Sequence, residues 1–169
     1  MPIWYGRAVG GASIGLSIGS HLDFKQRTDL NFFNSEILES IFIEIIRPNL
    51  NNIIIGTIYR PPNADAQLSV FKLDELLNKL SKENKTSYLM GDFNIDILKY
   101  QQHNFTSDFL DTMFSHIFLP LINRPTRIAS HTATIIDNIF TNGPIIHICI
   151  TNLWMVFFLR IFQITCQCF

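Results

Sequence analysis

Gly91-Asp92-Phe93-Asn94 follows the apolar run Thr86-Ser87-Tyr88-Leu89-Met90. A carboxylate and a carboxamide are thereby set two residues apart at the end of a buried strand. Side chains at i and i+2 of an extended segment point the same way, which predicts that Asp92 and Asn94 project together beyond the strand end. A carboxylate beside an amide suits a hard metal ion, a phosphate or a proton in flight. Two further polar residues stand at or inside apolar runs: Tyr59 ends one, and Asp137 interrupts another. A carboxylate is costly to bury unless it is paired or bonded to a metal or a histidine, so Asp137 requires a partner or serves as a cap for neighbouring backbone. Ligands collect at the carboxyl ends of strands in open α/β sheets. Arg60, Arg124 and Arg127 lie in loops beside those ends, where guanidinium groups suit bidentate recognition of phosphate or are simply solvated. His21, His103, His116, His131 and His147 form no suggestive constellation and read as structural or solvated.

The elements that must position these residues are legible from periodicity. Gly10 to Ile18 alternates small or polar with apolar residues and reads as a Gly-flanked strand, neither a P-loop nor a dinucleotide fingerprint. Residues 39–46 and 53–59 are β-branched, alternating runs separated by a Pro- and Asn-rich turn, which predicts an antiparallel hairpin. Between Asp65 and Glu83, Leu73, Leu76, Leu77 and Leu80 mark one buried stripe of a helix. The strand that ends in Gly91-Asp92 follows directly. Strand, helix, strand is a crossover unit, so the strands at 53–59 and 86–90 are expected to be parallel. A second helix is expected over about 104–116, a Pro-interrupted edge or loop over 121–128, and a last strand over 134–140.

Composition narrows the class. The chain has 169 residues, one domain's worth, and is 47% hydrophobic and 16% charged with a mean hydropathy of +0.20. That is apolar and charge-poor for a soluble domain. A net charge of −1 provides no global basic field for nucleic acid, though a local patch can still steer one. The three cysteines, Cys149, Cys166 and Cys168, all lie near the C-terminus, so there is no disulfide framework; Cys166-Gln167-Cys168 is at most half a metal site. The N-terminus lacks the pattern of a signal peptide. Residues 145–162 are strongly apolar but carry His147, Asn152 and Arg160, short of a clean membrane span. No firm membrane assignment follows.

Taken in order, Tyr59-Arg60-Pro61-Pro62, Gly91-Asp92-Phe93-Asn94-Ile95-Asp96, Arg124-Pro125-Thr126-Arg127-Ile128 and Thr134-Ile135-Ile136-Asp137-Asn138-Ile139-Phe140-Thr141-Asn142 resemble the endonuclease/exonuclease/phosphatase superfamily. In particular they resemble the apurinic-like endonuclease domain of non-LTR, LINE-type, retrotransposon polyproteins. The Gly-rich strand and Glu39-Ser40-Ile41-Phe42-Ile43-Glu44 look like the same branch. The resemblance implies Mg²⁺-dependent phosphodiester hydrolysis that nicks DNA. It implies catalytic roles for Tyr59 and Asn94 at the phosphate, for Asp92 at the attacking water, and for Asp137 in orienting a histidine. Arg60, Arg124 and Arg127 are expected on the substrate. DNA is the expected partner, and a reverse-transcriptase-containing polyprotein in an intracellular setting with nuclear access is the expected context.

The chain also departs from that pattern. The resembled domains carry an Asn and a metal-binding Glu ahead of the Gly-rich strand, and a closing Ser-Asp-His. Neither set has a counterpart here: no Asn or Glu precedes that strand, and no Asp or Glu follows Asp137. The expected fold is therefore α/β, a partial four-layer sandwich of two sheets flanked by helices. It is expected to be truncated on its N-terminal side and irregular at its C-terminus. The domain is expected over residues 6–142, followed by an apolar tail over 143–169. No residue is assigned as a metal ligand, and nuclease activity is expected to be impaired. A phosphatase of the same superfamily and a non-catalytic nucleic-acid-binding remnant are the alternatives.

Overall fold

The computed structural model describes residues 3–9 and 12–144. The strands and helices are, in chain order, β1 (Ile3–Val9), β2 (Ala12–Ile18), β3 (Phe24–Gln26), β4 (Phe32–Asn34), β5 (Leu38–Ile45), β6 (Ile53–Tyr59), α1 (Ala66–Lys82), β7 (Thr86–Asp92), α2 (Asn104–Ser115), β8 (Leu119–Pro120), β9 (Arg127–Ala129), β10 (Thr132–Thr134) and β11 (Asp137–Thr141). β1 and β2 form a two-stranded antiparallel sheet. The main sheet has seven strands in the order β3-β5-β6-β7-β11-β8, with β4 also paired to β5. β9 and β10 form a separate small hairpin.

The centre of the main sheet follows from local chemistry. β5 and β6 pair antiparallel through the turn that contains Pro48 and the positive-φ residue Asn49. β6 and β7 pair parallel, because α1 carries the chain back along the face it covers. Asp65 caps α1 by accepting from the Leu68 N–H, and Lys79 and Lys82 sit in its last turn, where cations complement the helix dipole.

The two faces of the sheet bury different partners. Toward the helices, Phe42, Ile54, Ile58, Leu89 and Phe140 meet Leu73, Leu77 and Leu80 of α1 and Phe109 and Met113 of α2. The opposite face places Ile41, Ile43, Ile55 and Met90 against Ile14, Leu16 and Ile18 of β2. Helices, large sheet and small sheet are thus three layers of an α/β sandwich. His116 Nε2 lies 2.8 Å from Asp74 Oδ1, joining the end of α2 to α1, a structural use of a histidine.

The structure differs from the sequence-based expectation in several places. The strand expected over 134–140 begins at Asp137, because Thr134 closes the β9–β10 hairpin through Thr126 N–H to Thr134 O. Between them Ile135 and Ile136 accept from Ile97 and Phe93 outside any regular ladder. The segment expected as a Pro-interrupted edge or loop over 121–128 supplies the start of the short strand β9. The expectations for residues 145–169, including the apolar tail, the membrane stretch and Cys166-Gln167-Cys168, lie outside the described residues. Among the described residues no helix is long and apolar enough to cross a membrane.

At the end of the sheet where β7 begins, Glu44 carries an ion network that no sequence pattern announced. Its side chain is 1% exposed. Asn52 Nδ2 donates to Oε1 at 2.7 Å, Lys85 Nζ lies 3.0 Å from Oε1, and Arg27 Nη1 lies 3.1 Å from Oε2. Lys25 reaches Oε2 at 3.2 Å, and Arg27 also pairs with Glu83 at the end of α1. Burial alone would raise the Glu44 carboxyl, but donation from Asn52, Lys85 and Lys25 outweighs it and holds the pKa at about 2. A carboxyl depressed from 4.5 to about 2 contributes about 3 kcal/mol. That contribution is fully present above pH 4.5 and is lost as pH falls toward 2. We therefore expect urea-derived stability to drop steeply between about pH 5 and pH 2. Glu44→Gln should lower stability near neutral pH and flatten that slope; an unchanged slope would remove Glu44 as its source.

Candidate active site

The strand register assembles a row of polar side chains. Glu39 lies opposite Tyr59, Tyr59 opposite Asp92, and Asp92 opposite Asp137. Directly opposed residues share a face of a sheet. By the two-residue alternation this is the face that carries Ile41, Ile55 and Met90 against β2. With strands about 4.8 Å apart, the row crosses four strands at the edge of that apolar layer. Tyr59 packs against the apolar layer itself.

Gly91 permits this closeness. It adopts φ +152°, and a Cβ there would stand 1.8 Å from the carbonyl oxygen of Ile58. Any side chain would drive β7 off β6 and separate Asp92 from Tyr59. The next residue but one is an anchor: Phe93 is buried among Phe109 and Phe140, with ring centroids 5.4 and 5.3 Å away. Asp92 and Phe93 thus face opposite sides of the sheet, one toward the polar row and one toward the helix core.

Asn94 departs from the expected extended geometry. The strand ends at Asp92, and Asn94 takes a left-handed φ of 48°, a conformation that Asn tolerates better than most residues. Its N–H donates to Asp92 Oδ1 at 2.9 Å, and its Nδ2 donates to the Arg60 carbonyl at 2.8 Å. Asp92 and Asn94 are therefore coupled through a tight turn rather than by parallel projection from one strand.

Arg127 of β9 lies between the two carboxylates. Its Nη2 donates to Asp92 Oδ2 at 3.0 Å, and its Nε lies 3.6 Å from Asp137 Oδ2. Desolvation raises the Asp92 carboxyl above its ordinary value, and repulsion from Asp137 adds to this; the Asn94 N–H and Arg127 pull in the opposite direction. A carboxyl of raised proton affinity is a better proton acceptor than an ordinary one. Asp92 is 8% exposed, whereas the Asp137 side chain is 34% exposed. Asp137 is thus half-buried, and among the described residues its charged contact is an arginine, not a histidine.

The remaining motif residues have varied surroundings. Arg124 and Arg127 are both exposed, and Arg127 is the one that contacts the row. Arg60 is buried: its Nη2 donates to the Ala64 carbonyl at 2.7 Å, and its guanidinium stacks 4.9 Å from the Phe105 ring. Burial lowers its pKa, and its main chain braces the site by donating to the Asp92 carbonyl. Asp96 accepts from the Ile135 N–H at 3.0 Å. Asn138 is 3% exposed and bonds both polar groups of the Ile122 main chain. Asn142 accepts from the Ser87 N–H. The motifs therefore mix site residues with residues that fasten backbone, and only the register separates them. Glu39, in the row but not among the expected site residues, is signalled in sequence by its phase with Ile41 and Ile43 and by its place in the Glu39–Glu44 run.

The fold has counterparts among solved structures. The endonuclease domain of TRAS1, a telomere-specific non-LTR retrotransposon, superposes with a TM-score of 0.63 at 15% identity, over 86% of this chain and 69% of that one. An endonuclease/exonuclease/phosphatase family protein from Leptotrichia buccalis gives 0.54 at 15% identity, over 85% and 60%. One from Bacteroides thetaiotaomicron gives 0.51 at 13%, over 83% and 59%. The chain has the endonuclease/exonuclease/phosphatase fold. It spans about three fifths of the length of the two bacterial proteins. No family model and no curated protein matches the sequence.

Within that fold the described carboxylates do not form a resident divalent-metal site. Arg127 stands between Asp92 and Asp137, and Glu39 lies two strands from Asp92, about 10 Å away across the ladder. Among the described residues no group of three or more His, Cys, Asp or Glu side chains could hold a metal ion. Gly91→Ala tests the placement of the row. The added methyl meets backbone rather than a movable side chain, so we expect a loss of about 3 kcal/mol in chemical denaturation. Wild-type stability for that variant would show that β7 does not lie so close to β6.

Proposed function

We propose that the chain is a phosphodiester-binding domain of the non-LTR retrotransposon endonuclease kind, with weak or absent hydrolysis. The observation that carries this reading is the row Tyr59, Asp92 and Asp137, joined by Asn94 and Arg127. A phenol hydroxyl, a carboxamide and guanidinium groups are donors suited to the non-bridging oxygens of a phosphodiester. Asp92, with its raised proton affinity, is suited to take a proton from an attacking water.

DNA is the proposed substrate class, since the TRAS1 domain belongs to a telomere-specific non-LTR retrotransposon. A polyprotein that also carries a reverse transcriptase is the proposed context, in a compartment that gives access to chromosomal DNA. Proteins of this kind use Mg²⁺ as a Lewis acid on the phosphoryl oxygen. With Asp92 and Asp137 occupied by Arg127, and no third carboxylate beside them among the described residues, turnover is expected to be low while binding persists.

The test combines binding and cleavage on the full chain. Duplex DNA should be retained at low salt and released as salt rises. Arg124→Ala and Arg127→Ala should each weaken binding across sequences and lower the salt slope by about 1. Arg60→Ala should instead lower stability, since that guanidinium is buried. With supercoiled plasmid and Mg²⁺, little nicking is expected. Failure to bind DNA at low salt would refute the reading. Robust nicking abolished by Asp92→Ala would show that hydrolysis is intact, and phosphate release from a phosphomonoester would identify a phosphatase.

A further inference from the structure

We propose that the guanidinium of Arg127 is the built-in cation of the polar row, which neutralises the Asp92 and Asp137 pair and keeps divalent metal ions off it. Asp92 and Asp137 are directly opposed on neighbouring antiparallel strands, an arrangement that is unfavourable for like charges. Such a pair requires a proton, a metal ion or a cationic side chain between its members. The structure supplies the last: Arg127 Nη2 at 3.0 Å from Asp92 and Nε at 3.6 Å from Asp137.

The chain supplies that cation in a fixed way. Arg127 opens β9, in register with Thr134 of β10, and β11 begins three residues after Thr134 at Asp137 itself. The hairpin therefore returns the chain to the carboxylate that its own arginine contacts. A guanidinium is charged at all working pH values and presents donors in a rigid fork. It donates to one oxygen of Asp92 and stands in ion-pair range of one oxygen of Asp137, and the Asn94 N–H takes the other oxygen of Asp92. A divalent ion would have to displace a permanent positive charge and break these bonds.

Metal binding, not cleavage, reads this out, so the outcome is independent of whether the chain acts on DNA. Mn²⁺ alone would be titrated into the full chain and free Mn²⁺ followed by its paramagnetic resonance signal. Wild type should bind at this row too weakly to measure below millimolar concentration. Arg127→Gln should gain one site at least about thirtyfold tighter, the least expected from removing a unit charge a few ångströms from a divalent ion. Arg127→Gln combined with Asp92→Asn should lose it again, and Arg127→Lys, which keeps the charge, should remain metal-free. Arg127 is 53% exposed, so its replacement leaves the core untouched. Should Arg127→Gln nonetheless fail to fold, the wild-type titration still decides. Submillimolar Mn²⁺ binding by wild type that Asp92→Asn abolishes would overturn the proposal, as would a folded Arg127→Gln variant that gains no site.

Discussion

How closely β7 lies against β6 governs everything at the polar end of the sheet. At Gly91 the two backbones approach until a Cβ would overlap the Ile58 carbonyl. The parallel ladder then carries Asp92 level with Tyr59. Because the contact is backbone on backbone, it leaves little tolerance. Phe93 fixes the chain from the other side of the sheet, where three aromatic rings meet at 5.3 to 5.7 Å. The site is therefore positioned by the two apolar layers between which β7 runs, and its polar residues are placed by packing they take no part in.

Charge is distributed along the sheet in two opposed arrangements. At one end a single buried carboxylate, Glu44, is surrounded by Lys25, Arg27 and Lys85. At the other a single guanidinium, Arg127, is held by two carboxylates. Glu44 is so fully enclosed that its network acts as structure, joining β3, β5 and the end of α1. Arg127 is half-exposed, so the same kind of interaction there remains open to solvent and to ligands. Burial, rather than the identity of the charged groups, separates an enclosed network from one that solvent can reach.

Sequence periodicity was sufficient for the framework. The hairpin of β5 and β6, the crossover through α1 and the helix α2 each depend on contacts close along the chain, and apolar spacing records such contacts directly. The polar end was legible only as a list of residues. That Asn94 turns into left-handed backbone, that Arg60 points inward under Phe105, and that Arg127 reaches two carboxylates all depend on segments that meet from far apart. Pairing between β7 and β11 joins residues 92 and 137, and no local pattern specifies it. The Ile-Asp-Asn-Ile-Phe-Thr-Asn run shows the difficulty well. Asp137 faces the row, while Asn138 and Asn142 fasten main chain, and their spacing alone does not separate these duties.

Among the described residues the small β9–β10 hairpin has no ladder to the main sheet. Its strands are three residues each, all exposed or nearly so, and a two-stranded ribbon of that size is marginal by itself. Main-chain bonds at Ile135 and Ile136 hold its base, and the Arg127 ion pairs hold its leading strand. Cohesion of the site is thus separate from cohesion of the domain. Local opening that lifts Arg127 away from Asp92 and Asp137 would leave both apolar layers closed. The polar row can change its occupancy without any part of the core unfolding.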